Sequence, residues 1–207
     1  ETNNTVKNVG LFDLTPFSKF EIKSDKAHQE LQKICTANIK NEPGKCVYTH
    51  MLNPDGGIET DLTVVCIDKN HFRIISSAAT RERDKFHINK HLSKNVELKD
   101  ITDDLCVFGL FGPKSRDLLK TLSEDNFEND QFKFGFAKFI TIDGVKIWTQ
   151  RLSYVGELGY ELYVDLKDAK KIYELLIEKG KDFNLSNCGM HAMDIMRMES
   201  GFLHWGH

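Results

Sequence analysis

The sequence predicts an α+β protein in which antiparallel sheets carry flanking helices. Three features support that reading: turn chemistry that folds one apolar run back on the next, period-two alternation around those turns, and a small number of helical patterns between the hairpins.

In chain order, Val9-Gly10-Leu11-Phe12-Asp13-Leu14 reads as a turn leading into the alternating strand Phe17–Lys23. Ser24-Asp25 can cap a helix over residues 26–40 that places Ala27, Leu31, Ile34 and Cys35 on one face. A strand from Tyr48 then meets Asn53-Pro54-Asp55-Gly56-Gly57, dense turn chemistry, and Leu62 to Ile67 returns. Asp68-Lys69-Asn70 reverses the chain again into His71–Ser76, which makes an antiparallel meander. Thr80 heads a helix to Leu92 with a densely charged outer face.

Val96–Ile101 and Leu105–Phe111 read as strands, and Gly112-Pro113 opens a short helix over 114–122, with Pro where its missing amide costs nothing. Residues 123–131 are acidic and polar, a loop. Asp143-Gly144 joins two alternating runs, 136–142 and 145–148, into a further hairpin. Tyr160–Val164 is a strand, and Ala169–Lys179 is an amphipathic helix ended by Gly180. A last helix covers roughly 190–200, with Met190, Met193, Met196 and Met198 read as core packing.

At 207 residues the chain can bury a substantial core, as one large domain or two. A net charge of −3 with both signs interspersed provides no basic field, so no nucleic-acid partner is expected. The apolar runs are strand-length, far short of the roughly 20 residues of a spanning helix, so no membrane partner is expected either. Cys35, Cys46, Cys66, Cys106 and Cys188 are odd in number, widely spaced and without Cys-x-x-Cys, which fits reduced thiols and a reducing compartment. That compartment is the cytoplasm, or the mitochondrial matrix if the source is eukaryotic. The start, Glu1-Thr2-Asn3-Asn4-Thr5, has neither an initiating Met nor a signal-peptide core and looks like a cut inside a longer chain.

Several residues are candidates for chemistry. Asp61 precedes the apolar run Leu-Thr-Val-Val-Cys-Ile at the mouth of the first hairpin, where a carboxylate is partly desolvated and can face a ligand; the competing reading is a turn-ending Asp that bonds backbone amides. Thr63 points to the same side as Asp61. Glu157 and Glu161 flank a glycine-containing bend, and either carboxylate could accept two parallel N–H bonds from a flat ring; the competing reading makes both surface carboxylates. His87 and His91 are four apart on a helix, but no third ligand accompanies them, so no metal is expected. Arg81, Arg83 and Lys85 could attract an anionic tail such as polyglutamate, though a solvated helix face explains them as well. No Gly-x-Gly-x-x-Gly occurs, so FAD or NAD binding within these residues is not supported.

Four stretches resemble the folate-dependent aminomethyltransferase family, which includes the glycine cleavage T protein and the folate-binding portions of dimethylglycine and sarcosine dehydrogenases. They are Gly10-Leu11-Phe12-Asp13-Leu14-Thr15 through Phe20, Tyr48 through Val65, Leu110 through Leu119, and Ser153-Tyr154-Val155-Gly156-Glu157-Leu158-Gly159-Tyr160-Glu161-Leu162-Tyr163. Cys188-Gly189 through Gly201 resembles a further family block and places Arg197 on the family's arginine, while Met193 stands where the T protein has an earlier one. The resemblance implies a tetrahydrofolate cofactor, a small-molecule substrate, Asp61 as the catalytic aspartate, and a folate site of Thr63, Tyr154, Glu161, Leu162, Tyr163 and Arg197. Glu157 is the second choice for the carboxylate that meets the pterin.

The first and fourth stretches, Leu-Thr-Val after Asp61, and the ending His204-Trp205-Gly206-His207 favour the dehydrogenase branch. There the chemistry implied is formation of 5,10-methylenetetrahydrofolate from the imine or formaldehyde released by oxidative demethylation of dimethylglycine or sarcosine. FAD would belong to a covalently linked N-terminal domain absent from this chain, and a C-terminal β domain would follow it. The expected division is 1–125 and 126–207 as first and second folate-binding subdomains, with interleaving a family habit. The rival readings are a glycine cleavage T protein or another folate-dependent demethylase, and a non-enzymatic folate-binding protein. The last is disfavoured because Phe202-Leu203-His204-Trp205-Gly206 stands where such proteins carry Lys-Gly-Cys-Tyr-x-Gly-Gln.

Overall fold

In the computed structural model, which describes residues 1–206, the chain forms two compact units. One unit joins Glu1–Thr15 to the chain from Asp103 onward, and the other is Pro16–Thr102. The division therefore falls at Thr15/Pro16 and Thr102/Asp103, which corrects the expected split near residue 125. The acidic stretch 123–131 stays inside the first unit because Phe127 and Phe132 are buried in its core, their rings 5.9 and 5.7 Å from that of Tyr160.

The first unit opens with α1 (Thr2–Lys7) and β1 (Val9–Asp13). The second unit then contains β2 (Ser18–Lys23), α2 (Ala27–Ile34), β3 (Cys46–Leu52), β4 (Ile58–Asp68), β5 (His71–Ser76), α3 (Arg81–His91) and β6 (Leu98–Asp100). The first unit resumes with β7 (Leu105–Phe111), α4 (Ser115–Leu122), β8 (Ala137–Ile142), β9 (Val145–Gln150), β10 (Gly159–Asp165), α5 (Leu166–Gly180), β11 (Leu185–Cys188) and α6 (Met190–Glu199). Among the described residues no helix is long and apolar enough to cross a membrane.

The second unit is built on a five-stranded sheet in the order β3-β4-β5-β2-β6, antiparallel throughout. Strand alternation puts Phe20, Ile22, Leu62, Val64, Phe72 and Ile74 on one face, where they pack with Ala27 and Leu31 of α2 and Ile88 of α3. The opposite face is mostly polar, with Cys46, Val65 and Ile75 among its residues. In register it presents Tyr48 and His50 of β3, Asp61 and Thr63 of β4, Arg73 of β5, and Lys19 and Glu21 of β2. The expected helix over 26–40 stops at Ile34, because the next residues are bound to β3 instead: Thr36 N–H donates to His50 O at 2.9 Å and Ala37 N–H to Thr49 Oγ1 at 3.0 Å.

The first unit is built on a six-stranded sheet in the order β11-β1-β7-β10-β9-β8, with only the β11–β1 pair parallel. Its core face carries Leu11, Leu110, Tyr160, Leu162, Ile147 and Ile140 against α4 and α5. In α5, Ala169, Ile172 and Leu176 are buried at the three- and four-residue spacing of one helical face. The other sheet face carries Phe12, Gly109, Phe111, Trp148, Gln150, Glu161 and Tyr163. Val9–Asp13, expected as a turn, is a strand held between β7 and β11. The methionines of α6 divide: Met193 and Met196 are buried as expected, whereas Met190 and Met198 are exposed.

Candidate functional site

Asp61 owes its position to the β3–β4 hairpin. Asn53 closes the turn, with its Oδ1 accepting from Asp55 N–H at 3.0 Å and Gly57 N–H at 2.9 Å. That occupies the turn amides and leaves the Asp61 carboxylate to the sheet face, so the turn-ending reading of Asp61 does not hold. Register sets His50 opposite Asp61 and Tyr48 opposite Thr63. The Tyr48 hydroxyl donates to Asp61 Oδ2 at 3.0 Å and lies 3.5 Å from His50 Nε2. Asp61 and Thr63 are half-buried, open enough to meet a ligand and sheltered enough for a charge to matter.

The two residues before Asp61 are fixed from the helix side. Arg83 donates through Nη2 to the Glu59 carbonyl, and its side chain pairs with the Glu59 carboxylate. Asp84, fully buried at the start of α3, accepts from Thr80 Oγ1 at 2.7 Å, with the Thr60 and Ser76 hydroxyls alongside. Burial pushes the Asp84 carboxyl above its ordinary range, against the lowering effect of these hydroxyls.

Arg81 and Lys85 of α3 are also engaged within the unit: Arg81 bonds Asp100 at 2.9 Å and Lys85 lies 3.7 Å from the same carboxylate. The side chains considered for an anionic tail are thus in ion pairs. His91 Nδ1 lies 2.8 Å from the His87 carbonyl, and among the described residues no group of three His, Cys, Asp or Glu could hold a metal.

Glu161 sits at the centre of its sheet face, opposite Gly109 on β7 and Gln150 on β9. A side chain at Gly109 would have to displace its neighbours: a Cβ would come within 2.7 Å of the Phe111 ring and 2.9 Å of Leu14. Burial pushes the Glu161 carboxyl up to about 7, against the lowering effect of Tyr163, whose hydroxyl donates to Oε2 at 2.9 Å. Part of Glu161 remains accessible, whereas Tyr163 is only 4% exposed.

Leu162 is corrected as a side-chain contact for a ligand on this face. Strand alternation sends it to the opposite side, where it is fully buried in the core.

Tyr154 and Arg197 meet around one segment. The Tyr154 hydroxyl donates to Leu203 O at 3.2 Å, and its ring stacks on Phe202 with centroids 6.2 Å apart and planes 12° apart. Arg197 donates to Phe202 O at 3.3 Å and to Asp194 Oδ1 at 3.2 Å. Gly156, at φ +80°, makes the bend before Glu157, and the Ser200 hydroxyl occupies the space a side chain there would fill. Glu157 is half-buried beyond that bend. His207, named in the terminal motif, lies outside the described residues.

Residue-type patterns missed Tyr48, Gln150 and Phe202. Tyr48 was accessible from hairpin register alone, since alternation pairs positions 48 and 50 with 63 and 61 across the turn. Gln150 and Phe202 become neighbours of Glu161 and Tyr154 only through pairing and packing.

The GCVT N-terminal domain family matches residues 1–207. The chain is 36% identical over 200 residues to 4-methylaminobutanoate oxidase (formaldehyde-forming) of Paenarthrobacter nicotinovorans, covering 96% of this chain and 24% of that protein. It is 34% identical over 209 residues to the mitochondrial dimethylglycine dehydrogenase of Rattus norvegicus, covering 100% of this chain and 24% of that protein. Its fold matches that of glycine cleavage system aminomethyltransferase T from Bartonella henselae with a TM-score of 0.84 at 20% identity, over 98% of this chain and 54% of that one. The chain therefore spans about a quarter of the length of the oxidase and dehydrogenase it resembles.

Proposed function

The chain belongs to the GCVT N-terminal domain family, and from that premise we propose that it binds tetrahydrofolate and serves one-carbon transfer to it. The observation that carries the reading is the Asp61 carboxylate, half-exposed on a polar sheet face and oriented by the Tyr48 hydroxyl with Thr63 beside it. Glu161 accepts paired N–H donors from the pterin edge, and Tyr154 and Arg197 of the same unit are the further folate-binding residues proposed. Glu157 is the alternative carboxylate for that contact, while Leu162 supports Glu161 from the core.

When bound, tetrahydrofolate would supply the two nitrogens that take up a one-carbon unit at the formaldehyde level, from formaldehyde with loss of water or from a methylene iminium with loss of the demethylated amine. Asp61 would orient the amine nucleophile, take its proton and return it to the departing water or amine, and as the carboxylate stabilise positive charge in a partly dry site.

The names of the two longer relatives support an N-methyl amine as the source of the carbon, dimethylglycine or sarcosine being the substrates proposed. The flavin that oxidises the methyl group would be held by another part of the polypeptide. A glycine cleavage T-type role would use the same residues with a different donor.

The test is the rate of 5,10-methylenetetrahydrofolate formation from formaldehyde and tetrahydrofolate, measured above the uncatalysed background. A rate enhancement by the parent that Asp61→Asn abolishes supports the reading. Equal rates with parent, variant and buffer remove it.

A further inference from the structure

Glu161 and Tyr163 are two residues apart on β10 and so project from the same sheet face. The Tyr163 hydroxyl donates to Glu161 Oε2 at 2.9 Å. That bond engages one carboxylate oxygen from the side, while part of the Glu161 surface stays open. The neighbouring strands bring no charge to this position: the residues opposite are Gly109 and Gln150, and those flanking them on the same face are Val107, Phe111 and Trp148. The carboxyl thus faces an apolar and amide surround in which a single phenol donor is its strongest local support.

We propose that Tyr163 is a positioning residue, which acts through Glu161 by fixing the orientation of its carboxylate and holding it ionised to receive a ligand's N–H donors. The proposal rests on the folate reading for the identity of that ligand, and on geometry for the Tyr163–Glu161 relation itself. It assigns Tyr163 a role distinct from stacking against or touching the ligand. Ligand donors need the ionised carboxylate, so affinity falls as Glu161 takes up a proton. The phenol opposes that uptake near neutral pH, because burial holds the Glu161 carboxyl at about 7.

The ligand-free test follows the Glu161 carboxyl carbon by NMR in the 207-residue chain labelled with δ-13C glutamate, assigned by its loss in Glu161→Gln. In the parent the midpoint is expected near 7. Removing a hydrogen bond to a charged group in Tyr163→Phe should raise it by about one pH unit. Site-specific 3-fluorotyrosine at position 163, a stronger donor that preserves the ring, should lower it. An unmoved midpoint in the folded fluorotyrosine protein overturns the proposal, even if the Phe variant fails to fold.

The second arm measures 5-formyltetrahydrofolate affinity against pH. Tyr163→Phe should weaken binding about five-fold at pH 7 and less than about two-fold at pH 8.5. A loss of equal size at both pH values shows a direct or merely structural contact and overturns the proposal. Absence of binding by every protein, with the carboxyl midpoints moving as expected, removes the folate reading and supports the Tyr163–Glu161 relation.

Discussion

Tyr48 reaches across the β3–β4 ladder to donate its hydroxyl to Asp61 at 3.0 Å, although the two residues are not directly paired in register. The contact is diagonal, from the position opposite Thr63 to the one opposite His50, and it joins two side chains of the polar sheet face. Tyr48 is itself 58% exposed, so its burial contributes little to the fold and its value lies in orienting the carboxylate.

Tyr48→Phe should therefore separate function from stability. Loss of one hydrogen bond to a charged group is expected to slow folate-dependent one-carbon transfer roughly ten-fold. Unfolding by urea should change by less than about 0.5 kcal/mol. Unchanged turnover would show that Asp61 keeps its orientation without the phenol.

Leu162→Ala should show the reverse pattern. Its side chain lies wholly inside the core of the six-stranded sheet. Truncation is expected to cost about 2–5 kcal/mol in urea unfolding. Folate affinity per folded molecule should stay within a factor of about two, and a larger loss would restore Leu162 to the ligand face.

The Glu161 carboxyl titrates at about 7 in the folded chain, above the ordinary value of 4.5. The folded state therefore holds the proton more tightly than the unfolded one. The stability this contributes is complete below pH 4.5 and is lost as pH rises through 7. Parent stability relative to Glu161→Gln should fall between pH 5 and pH 8, by up to about 3 kcal/mol. Urea denaturation at matched pH values measures the difference, and a flat difference would contradict the burial of this carboxyl.

Glu21 has the opposite sign. Burial is the largest single influence and pushes its carboxyl up, but hydrogen bonds and charge from His71 and Arg73 together hold it down at about 2. Arg73 reaches Glu21 Oε1 at 2.8 Å, and His71 Nε2 lies 3.0 Å from Oε2. The stability contributed is present above pH 4.5 and lost as pH falls toward 2. Arg73→Met should cost about 3–5 kcal/mol at pH 7, since it leaves a buried charge short of its partner. The deficit should shrink in acid, as followed by urea unfolding between pH 7 and pH 3.

Turns and local periodicity made much of this fold legible. Asp143 and Gly144 adopt the two positive φ angles, 46° and 78°, that an Asp-Gly hairpin turn requires. The strand Leu105–Phe111 follows from its apolar run, and the placement of Asp61 in the first hairpin follows from turn chemistry. What stayed hidden depends on residues distant in the chain. Leu185–Cys188 has no strand pattern of its own and becomes one by pairing in parallel with Val9–Phe12. Thr36 and Ala37 leave the expected helix because β3 offers them backbone and hydroxyl partners. The division at Thr15 and Thr102 was likewise beyond local reading, since β1 belongs to a sheet whose other strands begin at Leu105. At the candidate site, residue types and resemblance pointed to Asp61 and Glu161. Their supports, Tyr48 and Tyr163, follow from strand geometry.

Anaerobic calorimetric titration of tetrahydrofolate into the parent chain and Glu161→Ala, with both folds checked by circular dichroism, tests the central claim most directly. Saturable binding to the parent, weakened at least about ten-fold in the variant, is the result predicted from loss of a paired charged contact. Equal affinity in the two proteins, or no binding by a well-folded parent, would contradict it.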